Sequence, residues 1–155
     1  MRDTTIRLAT VEDAPQLLPL IRSLVALSSE NLPSEESMLK IIRQQIESDY
    51  HEYIVAESDG HIFGCLLMCY YLSTWEGAPY AFFKDFIVEE EWRNQGVGST
   101  ILAYARNRAR LKGCARIDLI IHSRLDEAKK FFQRWGFRRI ERDVMRVRIP
   151  RPQAE

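Results

Sequence analysis

The sequence predicts a mixed α/β fold, one domain over residues 1–150 with helices covering the faces of a single sheet, then a frayed tail at 151–155. Three observations predict it. The period of apolar residues switches between helical and extended along the chain in the order β-α-α-β-β-β-α-β-α-β. Breakers at Leu32-Pro33, Asp59-Gly60, Gly113 and Gly136 fall between the periodic segments. The size and mix, 155 residues with 46% hydrophobic and 28% charged side chains, suit one globular core without linker or repeat.

Ile6 and Leu8 alternate with Arg7 and Ala9 as a short first strand. Thr10 with Asp13 three residues on reads as a capped helix start, and Ala14, Leu17, Leu18, Ile21, Leu24 and Val25 follow as one apolar stripe. Ser34 with Glu35 and Glu36 opens a second helix, whose buried side is Met38, Ile41, Ile42 and Ile46. Tyr53 to Ala56 is a strand, Asp59-Gly60 a hairpin turn, and His61 to Leu72 a long apolar strand. After the loop Trp75 to Pro79, Tyr80 to Val88 forms a fourth strand. Val97, Ile101, Tyr104 and Ala105 restore helical spacing until Lys112-Gly113. Ala115 to Ile121 is a fifth strand, Ser123 to Trp135 a helix, and Phe137 to Ile149 a final extended segment in which Met145, Val147 and Ile149 alternate with arginines.

Composition excludes several classes. The longest nearly apolar run, Ile62 to Leu72, falls short of the roughly 20 residues a spanning helix needs, so no membrane span is expected. No hydrophobic signal segment opens the chain. Cys65, Cys69 and Cys114 make no CxxC pair, so no zinc knuckle, no disulfide framework and a cytoplasmic setting are expected. Net charge is zero, yet residues 1–90 carry 6 basic and 15 acidic side chains and residues 91–155 carry 16 and 7. Such halves suit two ligands of opposite charge. Nucleic acid is not an expected partner, because Glu141 and Asp143 interrupt the arginine-rich stretch 138–151.

One segment carries chemistry. The strand ending Asp85-Phe86-Ile87-Val88 runs through Glu89-Glu90-Glu91-Trp92 into Arg93-Asn94-Gln95-Gly96-Val97-Gly98-Ser99-Thr100, where a helix begins. A helix start leaves its N–H groups unpaired and carries partial positive charge. Glycines let a phosphate approach that backbone, and Arg93 would add a charge-assisted contact. A Walker loop is excluded, since Ser99-Thr100 rather than Lys follows Gly98; a dinucleotide fingerprint lacks its third glycine.

Here the chain resembles the GNAT superfamily of N-acetyltransferases. Arg93-Asn94-Gln95-Gly96-Val97-Gly98 matches the signature R/Q-x-x-G-x-G/A at every specified position, and Ala128, Phe131, Phe132, Gly136 and Phe137 resemble a later block of that family. The element order is similar too, and the long third strand with its Trp loop looks nearest to diamine-type, small-amine members. The resemblance implies a mostly antiparallel sheet with helices on both faces, acetyl-CoA as co-substrate, no metal, a small-molecule amine acceptor and a homodimer. It implies CoA contacts at Phe86, Ile87 and Val88 and at Arg93, Asn94, Gln95, Gly96, Val97, Gly98, Ser99 and Thr100. Two positions depart from the pattern: Leu125 stands where the family has Asn, and Phe132 stands where a Tyr would protonate the departing sulfur.

Candidates for the proton chemistry are therefore His122 at the end of the fifth strand, Asp85 on the fourth, and Tyr80, with Tyr70 and Tyr71 as further phenols. Glu89, Glu90 and Glu91 read as a solvated turn, and Cys65 and Cys69, four apart on one strand face, as core thiols. Trp75 and Tyr71 beside the acidic stretch Glu30 to Glu36 would suit an ammonium group. The expected function is acetyl transfer from acetyl-CoA to the primary amine of a small cationic molecule. Acetylation of a peptide amine and a non-catalytic acyl-CoA sensor are the alternatives.

Overall fold

The computed structural model describes residues 3–28 and 31–152, so the first residue of the acidic stretch Glu30–Glu36 lies outside them. Two compact units, Met1–Ile120 and Ile121–Glu155, are described separately.

The first unit holds a five-stranded sheet in the order β1 (Thr5–Leu8), β2 (His51–Ser58), β3 (His61–Ser73), β4 (Ala78–Val88), β5 (Ile117–Leu119). The first three pairings are antiparallel and β4–β5 is parallel. Around it run α1 (Ala14–Ala26), α2 (Glu35–Glu47) and α3 (Val97–Leu111), with 3-10 turns at Val11–Asp13 and Glu90–Trp92. The expected mixed α/β class is therefore observed. The apolar stripe of α1 packs with Ile42 of α2 against Tyr53, Val55, Cys65, Leu67 and Cys69. The alternate residues Ile54, Leu66 and Met68 are buried as well, and α3 packs on β2, β3 and β4. Strands covered on both faces read as continuous apolar runs, which is why β3 shows no polar alternation. Gly64 lets α3 come close: a methyl group there would stand 3.3 Å from Ile101 Cδ1 and 3.4 Å from Ile87 O.

The turn into α1 is held by charge. Asp13 accepts the Thr10 N–H at 2.7 Å and both ends of the Arg7 guanidinium at 2.7 and 3.0 Å, while Arg7 also reaches Glu57 on β2 at 3.0 Å. The guanidinium holds the Asp13 and Glu57 carboxyls below their ordinary values. A depressed carboxylate contributes stability above the ordinary carboxylate range, about pH 4, and loses it as pH falls through the depressed folded value. Asp13→Ala should cost about 1–3 kcal/mol at pH 7 and much less in acid, read as urea midpoints across pH.

In the second unit α4 (Asp126–Arg134) carries Phe131 and Phe132, whose rings meet edge-to-face at 5.1 Å; Phe132 meets Phe137 in the same way at 5.4 Å. The final strand expected over Phe137 to Ile149 is not formed: among the described residues, 137–152 carry no strand. A strand needs a ladder partner, and alternation only marks which side such a partner would bury. Val144, Met145, Val147 and Ile149 are all exposed instead. Among the described residues no helix is long and apolar enough to cross a membrane.

Candidate functional site

The fourth strand loses its regularity where the sequence places its candidate residues. Leu67 pairs with Lys84 and Cys65 with Ile87, so Asp85 and Phe86 together oppose Leu66 in a bulge. Asp85 adopts φ +49°, a left-handed conformation that Asp tolerates better than most residues. The parallel ladder with β5 covers only Ala81, Phe82 and Phe83. Lys84 to Val88 therefore continue past the last β4–β5 pair. This accounts for a fifth strand shorter than the expected Ala115 to Ile121: its partner turns away at the bulge.

Asp85 is half-buried, and burial pushes its carboxyl above the ordinary value while the neighbouring Lys84 charge pulls it down. Its charge is felt by Tyr53, Cys65 and Cys69, each shifted upward mainly by burial. The Tyr53 hydroxyl is already committed, donating to Gln45 Oε1 at 2.6 Å. Among the described residues, no hydrogen bond or ion pair is made by the Asp85 carboxylate. A desolvated carboxylate without a donor destabilises a fold, and Asp85 is such a group on a bulged central strand.

Beyond Val88 the chain is pinned before it enters α3. The Glu89 N–H donates to Phe63 O at 2.7 Å, and the buried Trp92 ring lies flat on Phe63, with centroids 3.7 Å apart and planes 7° apart. Exposed Arg93 donates from Nε to Val88 O at 2.7 Å, tying the loop to the end of β4. Gly96 occupies the N-cap of α3 at φ +81°, where other L residues are strained, and a side chain built there would meet nothing within 4 Å. No side chain caps this helix and its first turn carries no acidic residue. The result is a helix N-terminus with outward N–H groups, open space beside Gly96 and a guanidinium nearby, which fits an anion such as a pyrophosphate.

The structure brings Asp85, Phe86, Ile87 and Val88 onto one stretch of strand leading directly to Arg93–Thr100. Tyr80 lies elsewhere, five positions before Asp85 on β4 and about 16 Å away at the usual strand rise. Its ring packs on Tyr71 at 5.4 Å and under the Arg116 guanidinium at 4.2 Å. Tyr70 donates to Glu52, which also holds Arg108. Trp75 is 92% exposed. In the second unit, His122 accepts the Arg124 N–H at Nδ1 (3.2 Å) and the Leu125 N–H at its carbonyl, a local turn before α4. Sequence reasoning missed Trp92 as the pin of the loop. The apolar ring immediately before Arg93 was the available signal for it.

A family model described as an acetyltransferase (GNAT) domain matches residues 49–139. An S-alkylcysteine N-acetyltransferase of Bacillus subtilis is 31% identical over 115 residues, 70% of this chain and 62% of that protein. An amino-acid acetyltransferase of Pasteurella multocida is 30% identical over 138 residues, 88% of this chain and 28% of that protein. The chain thus spans less than two thirds of either relative's length. An aminoglycoside N-acetyltransferase solved in complex with CoA shares the fold, with a TM-score of 0.81, 18% identity and 96% of each chain covered.

Proposed function

The chain belongs to the GNAT acetyltransferase family, and from that premise we propose that it moves the acetyl group of acetyl-CoA to the primary amine of a small molecule, by direct attack in a ternary complex. The observation that carries this reading is the uncapped α3 N-terminus at Gly96, joined through Arg93 to the end of β4. The N–H groups of Gln95 to Ser99 hold the pyrophosphate, and Arg93 guards the loop entrance. Phe86 and Val88 offer backbone to the pantetheine where β4 runs past β5. Acetyl-CoA supplies an activated acyl group whose carbonyl oxygen gains charge as the amine attacks, and a backbone N–H near Val88 stabilises that charge.

Asp85 takes the proton that the amine must lose. A carboxylate raised by burial is a better base near neutrality than an ordinary one. The new bond joins nitrogen to the acyl carbon, the carbon–sulfur bond breaks, and the amine proton passes to Asp85. Phe132 cannot donate to sulfur. With an ordinary thiol pKa of about 8.5 the thiolate is a stable enough leaving group and collects its proton from solvent. His122 Nδ1 already accepts the Arg124 N–H, so Asp85 is assigned the role in preference. Tyr80 is assigned packing.

The relatives named for amino acids and S-alkylcysteine support a small acceptor with one reactive amine. A homodimer and a cytoplasmic setting are part of the same proposal. Mass spectrometry after incubation with acetyl-CoA and a pool of amino acids, polyamines, aminoglycosides and peptides tests it. Acetylated product with matching release of CoA thiol is expected. Tight CoA binding without any acetylated amine would favour the sensor reading that Phe132 motivates.

A further inference from the structure

On the face of β4 turned to α1 and α2, Phe82 and Ile87 pack against the core cluster that contains Tyr53, Cys65 and Leu67. Between them, in register with Leu67, stands Lys84, which is exposed. Arg7, Arg22, Arg108 and Arg116 each have a carboxylate partner. Among the described residues Lys84 makes no ion pair or hydrogen bond, although Asp85 follows it directly. It is also the first residue of β4 beyond the ladder with β5, so it stands where the strand opens. Its charge bears on Asp85, Cys69 and His51 from that position.

We infer that Lys84 and Asp85 form one recognition pair for a zwitterionic acceptor, Lys84 binding the carboxylate of an amino acid whose α-amine is presented to Asp85. Two adjacent strand residues of opposite charge, neither satisfied by the protein, match a ligand whose opposite charges are one carbon apart. Ion pairing to the Lys84 ammonium is charge-assisted and favours the free acid over its uncharged amide. The same ammonium repels a second cationic group, which disfavours diamines as acceptors. The inference rests on the acetyltransferase reading and specifies its acceptor.

The test compares kcat/KM for leucine, leucinamide and 1,4-diaminobutane in the wild-type protein, Lys84→Met and Lys84→Arg, with acetyl-CoA saturating. The wild type is expected to prefer leucine over leucinamide by about tenfold or more, the usual worth of one charge-assisted contact. Lys84→Met should bring that ratio to near unity and improve the diamine relative to leucine, while Lys84→Arg should keep the preference. A ratio unchanged by Lys84→Met, or a wild-type preference for the amide or the diamine, would overturn the inference and leave the acetyltransferase standing. Turnover of none of the three, with acetyl-CoA still bound, would overturn the inference, and the acetyltransferase reading would fall with it only if the wider amine pool also gave no acetylated product. Because Lys84 is exposed and holds no partner, thermal unfolding of the variants should match the parent, which separates recognition from folding.

Discussion

Gly96→Asp is expected to abolish CoA binding, with a loss of at least a hundredfold in affinity. The position is the N-cap of a 15-residue helix at φ +81°, with nothing within 4 Å of a side chain built there. An added carboxylate would enter the space open to a phosphate and satisfy the same N–H groups from the protein itself. Left-handed backbone adds strain of about 1 kcal/mol or more for a non-glycine residue. Gly96→Ala carries that strain without the charge, so the difference between the two variants isolates electrostatic exclusion from backbone cost. For the parent, acetyl-CoA at a hundred times its dissociation constant should raise stability by about 2.7 kcal/mol. The Asp variant should show none of that gain, and equal gains in parent and variant would remove the loop from the binding site.

Asp85→Asn should lower kcat by about 10² to 10⁴, the range for a positioned acid or base. The parent rate should rise with pH as the carboxyl, raised by burial, loses its proton; the variant should lose that limb of the profile. Stability should move the opposite way. A carboxyl whose folded pKa is raised binds its proton more tightly in the folded than in the unfolded state. Ionising it therefore costs stability as pH climbs through the folded value. Asn is neutral and also tolerates φ +49°, so the variant should melt higher than the parent at neutral pH while turning over far more slowly. A merely structural Asp would lose stability on the same change, and an unaltered kcat and pH profile would remove Asp85 from the chemistry.

The conformation of the Arg93–Gly98 loop was legible in sequence because its backbone constrains residue identity at fixed spacing. Gly96 must tolerate a left-handed backbone, and Arg93 must stand where its side chain can reach back to Val88. Helices and most strands were legible for the ordinary reason that burial imposes a period. Which of the candidates His122, Asp85 and Tyr80 stands on a bulge was not, because it depends on register. Only the slip between Cys65–Ile87 and Leu67–Lys84 turns Asp85 into a bulge residue, and nothing local to Lys84-Asp85 announces that slip. Tyr80 looked equivalent to Asp85 as a strand residue with a titratable group, yet its place at the hairpin end of β4 gives it an aromatic neighbour and an arginine instead. The alternation of Met145, Val147 and Ile149 misled for the complementary reason. Period 2 specifies two faces but supplies no partner, and these side chains remain exposed.

Backbone hydrogen exchange with and without acetyl-CoA locates the bound co-substrate without presupposing an acceptor. Amides of Gln95 to Ser99 and of Phe86 to Val88 should slow on binding, while those of the cleft residues Leu8, Ile46, Asp49 and Lys112 should not change. Protection confined to those cleft residues, with the Gly96 loop exchanging as freely as before, would place the co-substrate elsewhere.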